Sequence, residues 1–250
     1  MGVRLCVVPA VEVANFDTVR RWAHAHHDAY VLGIHPLYAL DATPAHVAML
    51  DQALGDLRND PRLVGVGEIG IDGFVPALQT PAALSKMHDV YRAQLKLARK
   101  HHLPVVLHVR RSADALLKHL RELPAAGGIA HAFNGSEQQA KAFIQMGFVL
   151  GFGGTTTFDT SQQIRRLVTT LPATDLVLET DGPDMPPQWI YVRAKDRAAG
   201  VGQGLNSSVH LPAIARVVAH LRGVSSVALA QQTTTNALRA LPKLARLLKQ

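Results

Sequence analysis

The segment LVGVGEIG, residues 63–70, is a nearly unbroken run of apolar residues and glycine that carries one carboxylate, Glu68. Its continuous apolar character is typical of a strand covered on both faces, as in a parallel sheet flanked by helices. An unpaired carboxylate is costly to bury in such a strand, so Glu68 must meet a cation, hydrogen-bond donors or solvent. The segment therefore predicts a parallel α/β fold with a polar site at the end of the strand.

Comparable apolar runs recur along the chain and alternate with stretches of helical character, which favours a parallel (β/α) architecture. At 250 residues, with no linker or low-complexity segment, the chain is predicted to be a single domain, residues 1–250. The closed form of such a repeat is a TIM-type (β/α) barrel with eight strands, and this chain is one strand short. The predicted strands are 3–10, 29–35, 63–70, 104–109, 128–133, 148–154 and 175–180, and the predicted helices are 16–27, 44–59, 84–101, 113–122, 137–146, 161–170, 209–222 and 225–240.

The composition is that of an ordinary globular protein, with 48% hydrophobic and 18% charged residues. The sequence contains neither a run of about 18 apolar residues nor a signal-like start, so we expect a cytoplasmic protein that does not enter a membrane. A single cysteine excludes an internal disulfide and fits a reducing compartment. The net charge of +7 suits a polyanionic partner such as nucleic acid, but the charge alone decides little.

Polar side chains interrupt the apolar runs near their C-terminal ends. In a parallel barrel these ends meet on one face, where active sites are built from the loops of several strands. Imidazoles and carboxylates gathered there form a ligand set suited to Zn, Mn or a similar divalent ion. The residues concerned are His35 in GIHP, Glu68 in GVGEIG, His108 in VVLHVR, His131 in IAHAF, and Glu179 and Asp181 in LVLETDGP.

Each of these residues also has a purely structural interpretation. A lone histidine at a strand end is commonly a hydrogen-bonded core residue, Glu68 could pair with an arginine, and Asp181 could cap the turn that Gly182 and Pro183 form. The glycines around Glu68, at 65, 67 and 70, favour a site that something approaches closely. Four structural coincidences at the same end of four strands are improbable, so the set as a whole favours a shared functional site.

Five segments in this order, GIHP, GVGEIGID, LPVVLHVR, GIAHAFNGS and LVLETDGP, resemble the TatD-type metal-dependent deoxyribonucleases of the amidohydrolase-like barrel superfamily. The likeness extends from about residue 3 through NSSVHLPAIARVVAHLRG and TTTNALR, and so covers almost the whole chain. The resemblance implies hydrolysis of phosphodiester bonds in DNA with Mg, Mn or Zn, and removal of nucleotides from the 3′ ends of single strands. It specifies the family more closely than the substrate.

The resemblance also implies roles for individual residues. Glu68 would bridge two divalent ions, and His108 and His131 would complete the shell of one of them. Asp181 would bind the other ion or take the proton of the attacking water. His35 would orient a phosphate, and Arg110 would face the same site.

The chain departs from the family pattern at its start. Family members begin with a strand that carries an Asp-x-His-x-His-like motif, whereas MGVRLCVVPA matches their second strand. The pair His24 and His26 lies in a predicted helix, where residues i and i+2 project in different directions and cannot chelate one ion. We expect either that the start codon lies downstream of the real one or that the first βα element has been lost.

Two consequences follow from this departure. The remaining set of Glu68, His108, His131 and Asp181 suffices for one ion with open positions, so we expect one or two ions per chain and weakened activity. An open barrel exposes two strand edges, which predicts a homo-oligomer, occlusion of the gap by a loop, or reduced solubility.

The segment after Asp181, residues 182–208, combines Arg193 and Lys195 with Trp189 and Tyr191. Cations neutralise phosphates and aromatic rings stack on bases, so this segment could form a rim that binds a DNA strand; a solvated loop with its tryptophan packed on the barrel is the alternative. Asn206 and Asn236 are predicted to fix loops through side-chain hydrogen bonds. The other functions left open are hydrolysis of a different ester or amide and a binding remnant with impaired catalysis.

Overall fold

The computed structural model describes residues 2–248 and contains one sheet of seven parallel strands, arranged in chain order from first to last. The sheet curls into a half-barrel in which each strand pairs with the next one along the chain. The predicted fold class is therefore confirmed. The strands are β1 (Val7–Pro9), β2 (Ala29–Leu32), β3 (Leu63–Asp72), β4 (Val105–Arg110), β5 (Gly128–His131), β6 (Phe148–Phe152) and β7 (Leu176–Leu178).

Helices connect the strands and cover the outer face of the sheet. Several begin with local signals in the sequence: the hydroxyls of Thr43, Thr80 and Ser136 each accept a hydrogen bond from an amide in the first turn of the following helix. The helices are α1 (Phe16–Ala25), α2 (Pro44–Asp56), α3 (Pro81–Lys100), α4 (Ala113–Glu122), α5 (Glu137–Gln145), α6 (Gln162–Thr170), α7 (Ala194–Ala198), α8 (Leu211–Arg222), α9 (Ser226–Ala240) and α10 (Leu244–Leu247).

The buried apolar residues form two clusters on opposite faces of the sheet. The larger one lies between the sheet and its helices and includes Tyr30, Leu107 and Phe148. The smaller one fills the concave side of the half-barrel, where Val106 and Val177 meet residues of the C-terminal segment such as Leu241 and Leu244. Because the concave side is filled with side chains, it is a packed core that supports the residues at the C-terminal ends of the strands.

The inner cluster shows how the sheet positions the polar residues. Side chains two residues apart on a strand point to the same face. His108 lies two residues beyond Val106, His131 two beyond Ile129, and Glu179 two beyond Val177. Val106 and Val177 belong to the inner cluster, and Ile129 packs against it. The polar side chains therefore form the next layer of the concave face, toward the C-terminal ends of the strands.

The boundaries differ from the sequence-based expectations in a few places. Strand β3 extends to Asp72, two residues beyond the predicted end, and α3 begins at Pro81 rather than 84. Within residues 2–248, β1 and β7 each have one sheet neighbour, so the sheet has two open edges. The segment expected to be a loop, 182–208, contains the short helix α7.

No single helix in the described part of the chain is both long and apolar enough to cross a membrane. Two consecutive segments, Ser208–Arg222 and Ser226–Ala240, meet the length and composition criterion together, with a bend of 104° between them.

Candidate metal centre at the C-terminal face

The carboxylate of Glu68 lies at the centre of a cluster of three histidines. Its Oε1 lies 2.7 Å from Nδ1 of His108 and 2.8 Å from Nε2 of His131. Nε2 of His35 lies 3.3 Å from the same oxygen. Glu68 is 6% exposed, and it projects from β3 between residues contributed by three other strands or strand ends. The structure thus brings together four of the predicted site residues.

The glycines around Glu68 serve a different purpose from the predicted one. A Cβ on Gly67 would lie 2.8 Å from Cβ of Val106, and one on Gly70 would lie 2.4 Å from the backbone oxygen of His108. What approaches closely at these glycines is therefore strand β4 and not a ligand. The expectation that these glycines leave room for a ligand was wrong. The glycines instead let β3 and β4 approach closely, which brings Glu68 and His108 within contact distance of each other.

Asp72, at the end of β3, is a site residue that the sequence reasoning missed. Its Oδ2 lies 3.1 Å from Nε2 of His108, on the opposite side of the ring from Glu68. Its Oδ1 accepts hydrogen bonds from the amides of Phe74 and Val75, and the residue is fully buried. A carboxylate that holds the outer nitrogen of a ligating imidazole is a common feature of metal sites. The available signal was the second acid in GEIGID, which fell outside the predicted strand.

Glu179 and Asp181, from the segment that follows β7, face the other nitrogen of His131. Nδ1 of His131 lies 3.6 Å from Oε1 of Glu179 and 3.9 Å from Oδ1 of Asp181. Glu179 is held in place because its Oε1 accepts a hydrogen bond of 2.7 Å from the amide of Ala132. It also occupies space above Gly151, where an added Cβ would lie 2.1 Å from Oε2. Glu179 therefore lies against both the Ala132 amide and the outer nitrogen of His131.

The protonation states reflect this crowding of acids and imidazoles. Burial raises the pKa of Glu68, but the charge of His131 and the hydrogen bonds from His108, His131 and His35 outweigh it and hold the pKa well below its usual range. Burial lowers the pKa of His131, but the carboxylates of Glu68 and Glu179 outweigh it and raise the pKa well above the usual value. The imidazoles around Glu68 therefore favour its charged form.

His108 and Asp181 complete the electrostatic arrangement. Burial lowers the pKa of His108, but hydrogen bonds to Asp72 and Glu68 on opposite sides of the ring outweigh it and raise the pKa. Burial raises the pKa of Asp181 to about 7; His131 opposes this increase, and neighbouring carboxylates add to it. A carboxyl with a pKa this high takes up and releases protons near neutral pH.

The donor set fits a divalent cation. Ligand atoms of His35, Glu68 and His108 all lie within 4.8 Å of one another, and His131 contacts the same Glu68 oxygen. Imidazole nitrogens combined with carboxylate oxygens suit Zn or Mn. A cation here would take over the role of the imidazole protons in neutralising Glu68, since ligating imidazoles must be deprotonated.

His35, one of the three residues of that group, can also donate a hydrogen bond. Its Nδ1 accepts a hydrogen bond of 3.2 Å from the amide of Leu37, so in the neutral ring Nε2 carries the proton. That Nε2 faces Oε1 of Glu68 and the imidazole of His108. The backbone turn at Pro36 therefore makes His35 a hydrogen-bond donor at the edge of the centre. The role of orienting a phosphate stays a prediction.

Arg110 lies beside the centre. Its Nη1 is 3.7 Å from Oδ2 of Asp72, and its guanidinium stacks over the ring of Phe74, 3.9 Å from the ring centroid. It thereby lies beside Asp72, and its role at the site stays a prediction.

The predicted rim residues lie in the segment between β7 and α8. Arg193 immediately precedes α7 and Lys195 lies within it, and within residues 2–248 neither side chain forms an ion pair with the centre. Trp189 is 46% exposed, and its indole N–H donates to Nδ1 of His210.

Three further sequence-based expectations can be compared with the structure. Nε2 of His24 contacts Asp60, whereas Nδ1 of His26 contacts the backbone oxygen of Trp22, so the two rings do not share a ligand. The side-chain amide of Asn206 donates to the backbone oxygens of Thr180 and Asp184. The amide of Asn236 likewise donates to the oxygens of Ala173 and Leu176, and both expected loop contacts are confirmed.

Comparisons with known proteins agree with this geometry. The family model described as TatD related DNase matches residues 1–242. The metal-dependent hydrolase YjjV of Escherichia coli K12 is 40% identical over 188 residues, which are 74% of this chain and 70% of that protein. The 3′-5′ ssDNA/RNA exonuclease TatD of Salmonella typhimurium is 30% identical over 223 residues, covering 87% of this chain and 78% of that protein.

The fold comparison gives the same answer. The crystal structure of the E. coli TatD homologue YjjV superposes with a TM-score of 0.82 and 33% identity, covering 94% of this chain and 85% of that one. The fold, the strand-end cluster and the family match define a metal-dependent hydrolase of the TIM-barrel type. The chain belongs to the TatD family.

Proposed function

We propose that this protein is a metal-dependent deoxyribonuclease that hydrolyses phosphodiester bonds in DNA and removes nucleotides from the 3′ ends of single strands. The main observation is that Nδ1 of His108 and Nε2 of His131 both contact Oε1 of Glu68. Asp181 faces the other nitrogen of the His131 ring. Relatives named as nucleases support the substrate class: deoxyribonuclease TATDN3 of Homo sapiens is 30% identical over 222 residues. The basic net charge of +7 favours the same polyanionic substrate.

A divalent ion, Mg, Mn or Zn, would be held by Glu68, His108, His131 and Asp181. The chain would bind one or two such ions. Such an ion lowers the pKa of a water molecule and stabilises the charge that develops on the phosphoryl oxygens. Asp72 and Glu179 position the two imidazoles from outside, because each contacts the nitrogen that faces away from Glu68. The ligand roles themselves are part of the proposal.

The remaining residues act on the substrate and on protons. If Asp181 does not ligate the ion, its Oδ1 would accept the proton of the attacking water. His35 would donate Nε2–H to a phosphate oxygen, because its Nδ1 already accepts a hydrogen bond from the Leu37 amide. Arg110 would neutralise the phosphate, and Arg193 and Lys195 would contact the strand farther out.

The experiment is incubation of the protein with a 5′-labelled single-stranded DNA in the presence of Mg or Mn, with parallel reactions in EDTA. Wild type is expected to shorten the strand stepwise from its 3′ end only when metal is present. Glu68→Gln and Asp181→Asn should lose most of this cleavage. Glu137→Gln, a carboxylate on α5 that pairs with Lys141, is the matched control and should cleave like wild type.

Equal cleavage by all variants would exclude the assigned site. Cleavage of an ester or amide but not of DNA would support the other hydrolase function. Metal binding without hydrolysis of any of these substrates would identify a binding remnant.

Two further properties belong to the same proposal. The basic charge and the centre both favour a nucleic acid partner, and a cytoplasmic location remains a prediction. The open edges of β1 and β7 favour pairing of two copies of the chain. Size-exclusion chromatography with light scattering should then give a dimer, whereas a stable monomer would contradict this pairing.

A further inference from the structure

Phe74, an exposed aromatic residue beside the candidate centre, contacts two arginines. The residue is 44% exposed and lies in the segment between β3 and α3, two residues beyond Asp72. The guanidinium of Arg110 lies over its ring at 3.9 Å from the centroid, and that of Arg111 lies over the ring at 4.7 Å. We call these three residues, Phe74, Arg110 and Arg111, the Phe74 stack.

The Phe74 stack is attached directly to the candidate centre. Nη1 of Arg110 lies 3.7 Å from Oδ2 of Asp72, and that oxygen lies 3.1 Å from Nε2 of His108. The amide of Phe74 donates a hydrogen bond of 2.7 Å to Oδ1 of the same Asp72. Both the ring and one of its arginines are therefore linked through a single carboxylate to an imidazole of the centre.

The backbone fixes the two loops that carry the stack. The amide of Gly73 donates a hydrogen bond of 2.7 Å to the backbone oxygen of Arg110, and a Cβ on Gly73 would lie 2.4 Å from the backbone oxygen of Arg111. Arg111 has a φ of 53°, in the left-handed region that is unfavourable for a residue with a Cβ. Conformations of this kind persist where the surrounding structure fixes them, and they cluster at sites that bind ligands.

The stack carries positive charge that the described residues neutralise only in part. Within residues 2–248, Asp72 is the one carboxylate at ion-pair distance from the Arg110 guanidinium, and Arg111 has no carboxylate that close. Asp72 is itself shared with His108 and with the amides of Phe74 and Val75. Two neighbouring cations repel each other, so an anion bound between them would be stabilising. The charge therefore favours an anionic ligand at this position.

The exposed ring favours a flat apolar group beside that anion. Part of the Phe74 ring remains accessible although two guanidinium groups lie over it. Leu37 and Tyr38 add exposed apolar side chains on the neighbouring loop, which follows β2. Aromatic rings and guanidinium planes both stack on unpaired bases. A nucleotide in a single strand combines such a flat ring with a phosphate, whereas the bases of a duplex are stacked on one another.

We propose that the Phe74 stack binds an unpaired nucleobase of the DNA strand next to the bond that is cleaved, and that Arg110 and Arg111 contact the phosphates beside this base. The assignment rests on the proposed function, since it takes the strand to be the substrate. It also names the contact through which an unpaired 3′ end is selected over a base-paired end, because a base must leave the duplex to stack here.

The test measures binding in EDTA, where the strand is not cleaved. A single-stranded hexadeoxynucleotide with a 5′ fluorescein is titrated with full-length protein, and its anisotropy is followed. A second strand carries abasic residues in place of the two 3′-terminal nucleotides. Wild type should bind the abasic strand about tenfold more weakly than the intact strand, because it loses the stacking contact.

The variant Phe74→Leu removes the aromatic ring and retains an apolar side chain at an exposed position, so it should fold. It should bind the intact strand about tenfold more weakly than wild type and distinguish the two strands less than about twofold. Wild type should also bind the single strand at least about tenfold more tightly than a blunt-ended DNA hairpin, and Phe74→Leu should lose most of this preference.

The variant Arg111→Gln tests the phosphate contact. It should reduce the slope of log K against log salt by about 0.7, as expected for the loss of one phosphate contact to a single strand. An unchanged slope would contradict the contact assigned to Arg111.

The matched control is Trp22→Leu, which removes an exposed aromatic ring from α1, where Trp22 stacks on His26. This variant should bind both strands within about twofold of wild type. If Phe74→Leu weakens binding of the intact and abasic strands equally, the ring only holds the arginines and the proposal is wrong. Equal affinity of wild type for the two strands, or no binding of either, would also overturn it.

The same samples separate this proposal from the proposed function. If wild type distinguishes the two strands and Phe74→Leu does not, but wild type fails to shorten a labelled strand with Mn, the base contact stands and the nuclease assignment fails. If wild type shortens the strand but binds the intact and abasic strands equally, the nuclease assignment stands and the base contact fails.

Discussion

Oδ2 of Asp72 lies 3.1 Å from Nε2 of His108, while Glu68 contacts the opposite nitrogen of the same ring at 2.7 Å. His108 is therefore fixed between two carboxylates, both contributed by β3. Removing the charge of Asp72 should leave the ring free to turn and should lower its basicity. We expect Asp72→Asn to reduce Mn affinity about 10–100-fold, measured by calorimetry. Asn can still accept the hydrogen bonds from Phe74 and Val75, so the turn should be retained.

Asp51→Asn is the control for this prediction. Asp51 lies on α2, where it pairs with Lys100 and His101 far from the strand ends. This variant should bind Mn like wild type. Unchanged Mn affinity in Asp72→Asn would show that Asp72 does not position the imidazole.

The space above Gly151 gives a second prediction. An added Cβ would lie 2.1 Å from Oε2 of Glu179, so Gly151→Ala must displace that carboxylate from the amide of Ala132 and from His131. We expect metal-dependent cleavage to fall at least about tenfold, as for loss of an outer contact to a ligand. Gly55→Ala is the control, because its Cβ would meet only an atom of His101 at 3.8 Å. Normal cleavage by Gly151→Ala would contradict the role assigned to Glu179.

Asn206 and Asn236 allow a matched comparison. Each donates its side-chain amide to two backbone oxygens, Asn206 around Asp181 and Asn236 at the start of β7. Each Asn→Ala variant should lose about 1–3 kcal/mol of stability, because it leaves buried carbonyl oxygens without a hydrogen-bond donor. Only Asn206→Ala should also lower kcat, since its loop carries Asp181. An equal loss of kcat in both variants, measured under conditions where each is folded, would show that the Asn206 contact is merely structural.

The histidine pair on α3 and α4 predicts a pH dependence of stability. Nδ1 of His88 contacts Nε2 of His119. Burial lowers the pKa of both rings, with further lowering from Lys118 at His88 and from His88 and Arg92 at His119. Because the folded pKa values lie below the unfolded value of about 6.5, the unfolded state binds more protons. The stability from this neutral pair is present above that pH and is lost as the pH falls below it.

The measurement is the melting temperature as a function of pH. The double variant His88→Gln, His119→Gln should lose less stability than wild type as the pH falls from about 7 to about 5. His220→Gln, an exposed histidine on α8, should follow the wild-type curve. A double variant whose melting temperature falls as steeply with pH as that of wild type would contradict this interpretation.

The sequence predicted the seven strands, their parallel arrangement and six of the clustered side chains, because these features depend on local patterns. It did not reveal Asp72, because its role depends on β3 being two residues longer than the apolar run and on the register that sets it beside His108. The glycines near Glu68 were misinterpreted for a similar reason, since only the packing of β4 shows what approaches them.

We infer that Glu68 and the histidines around it hold a metal ion that is required for DNA cleavage. The most direct measurement is the initial rate at which a 5′-labelled single strand is shortened in Mn, for wild type and for Glu68→Gln, with bound Mn counted by calorimetry in the same preparations. We predict about one tightly bound ion per wild-type chain with three protein ligands or more. Glu68→Gln should lose both the tight ion and the cleavage. Full cleavage by Glu68→Gln, or a wild-type protein that binds no ion, would contradict the account.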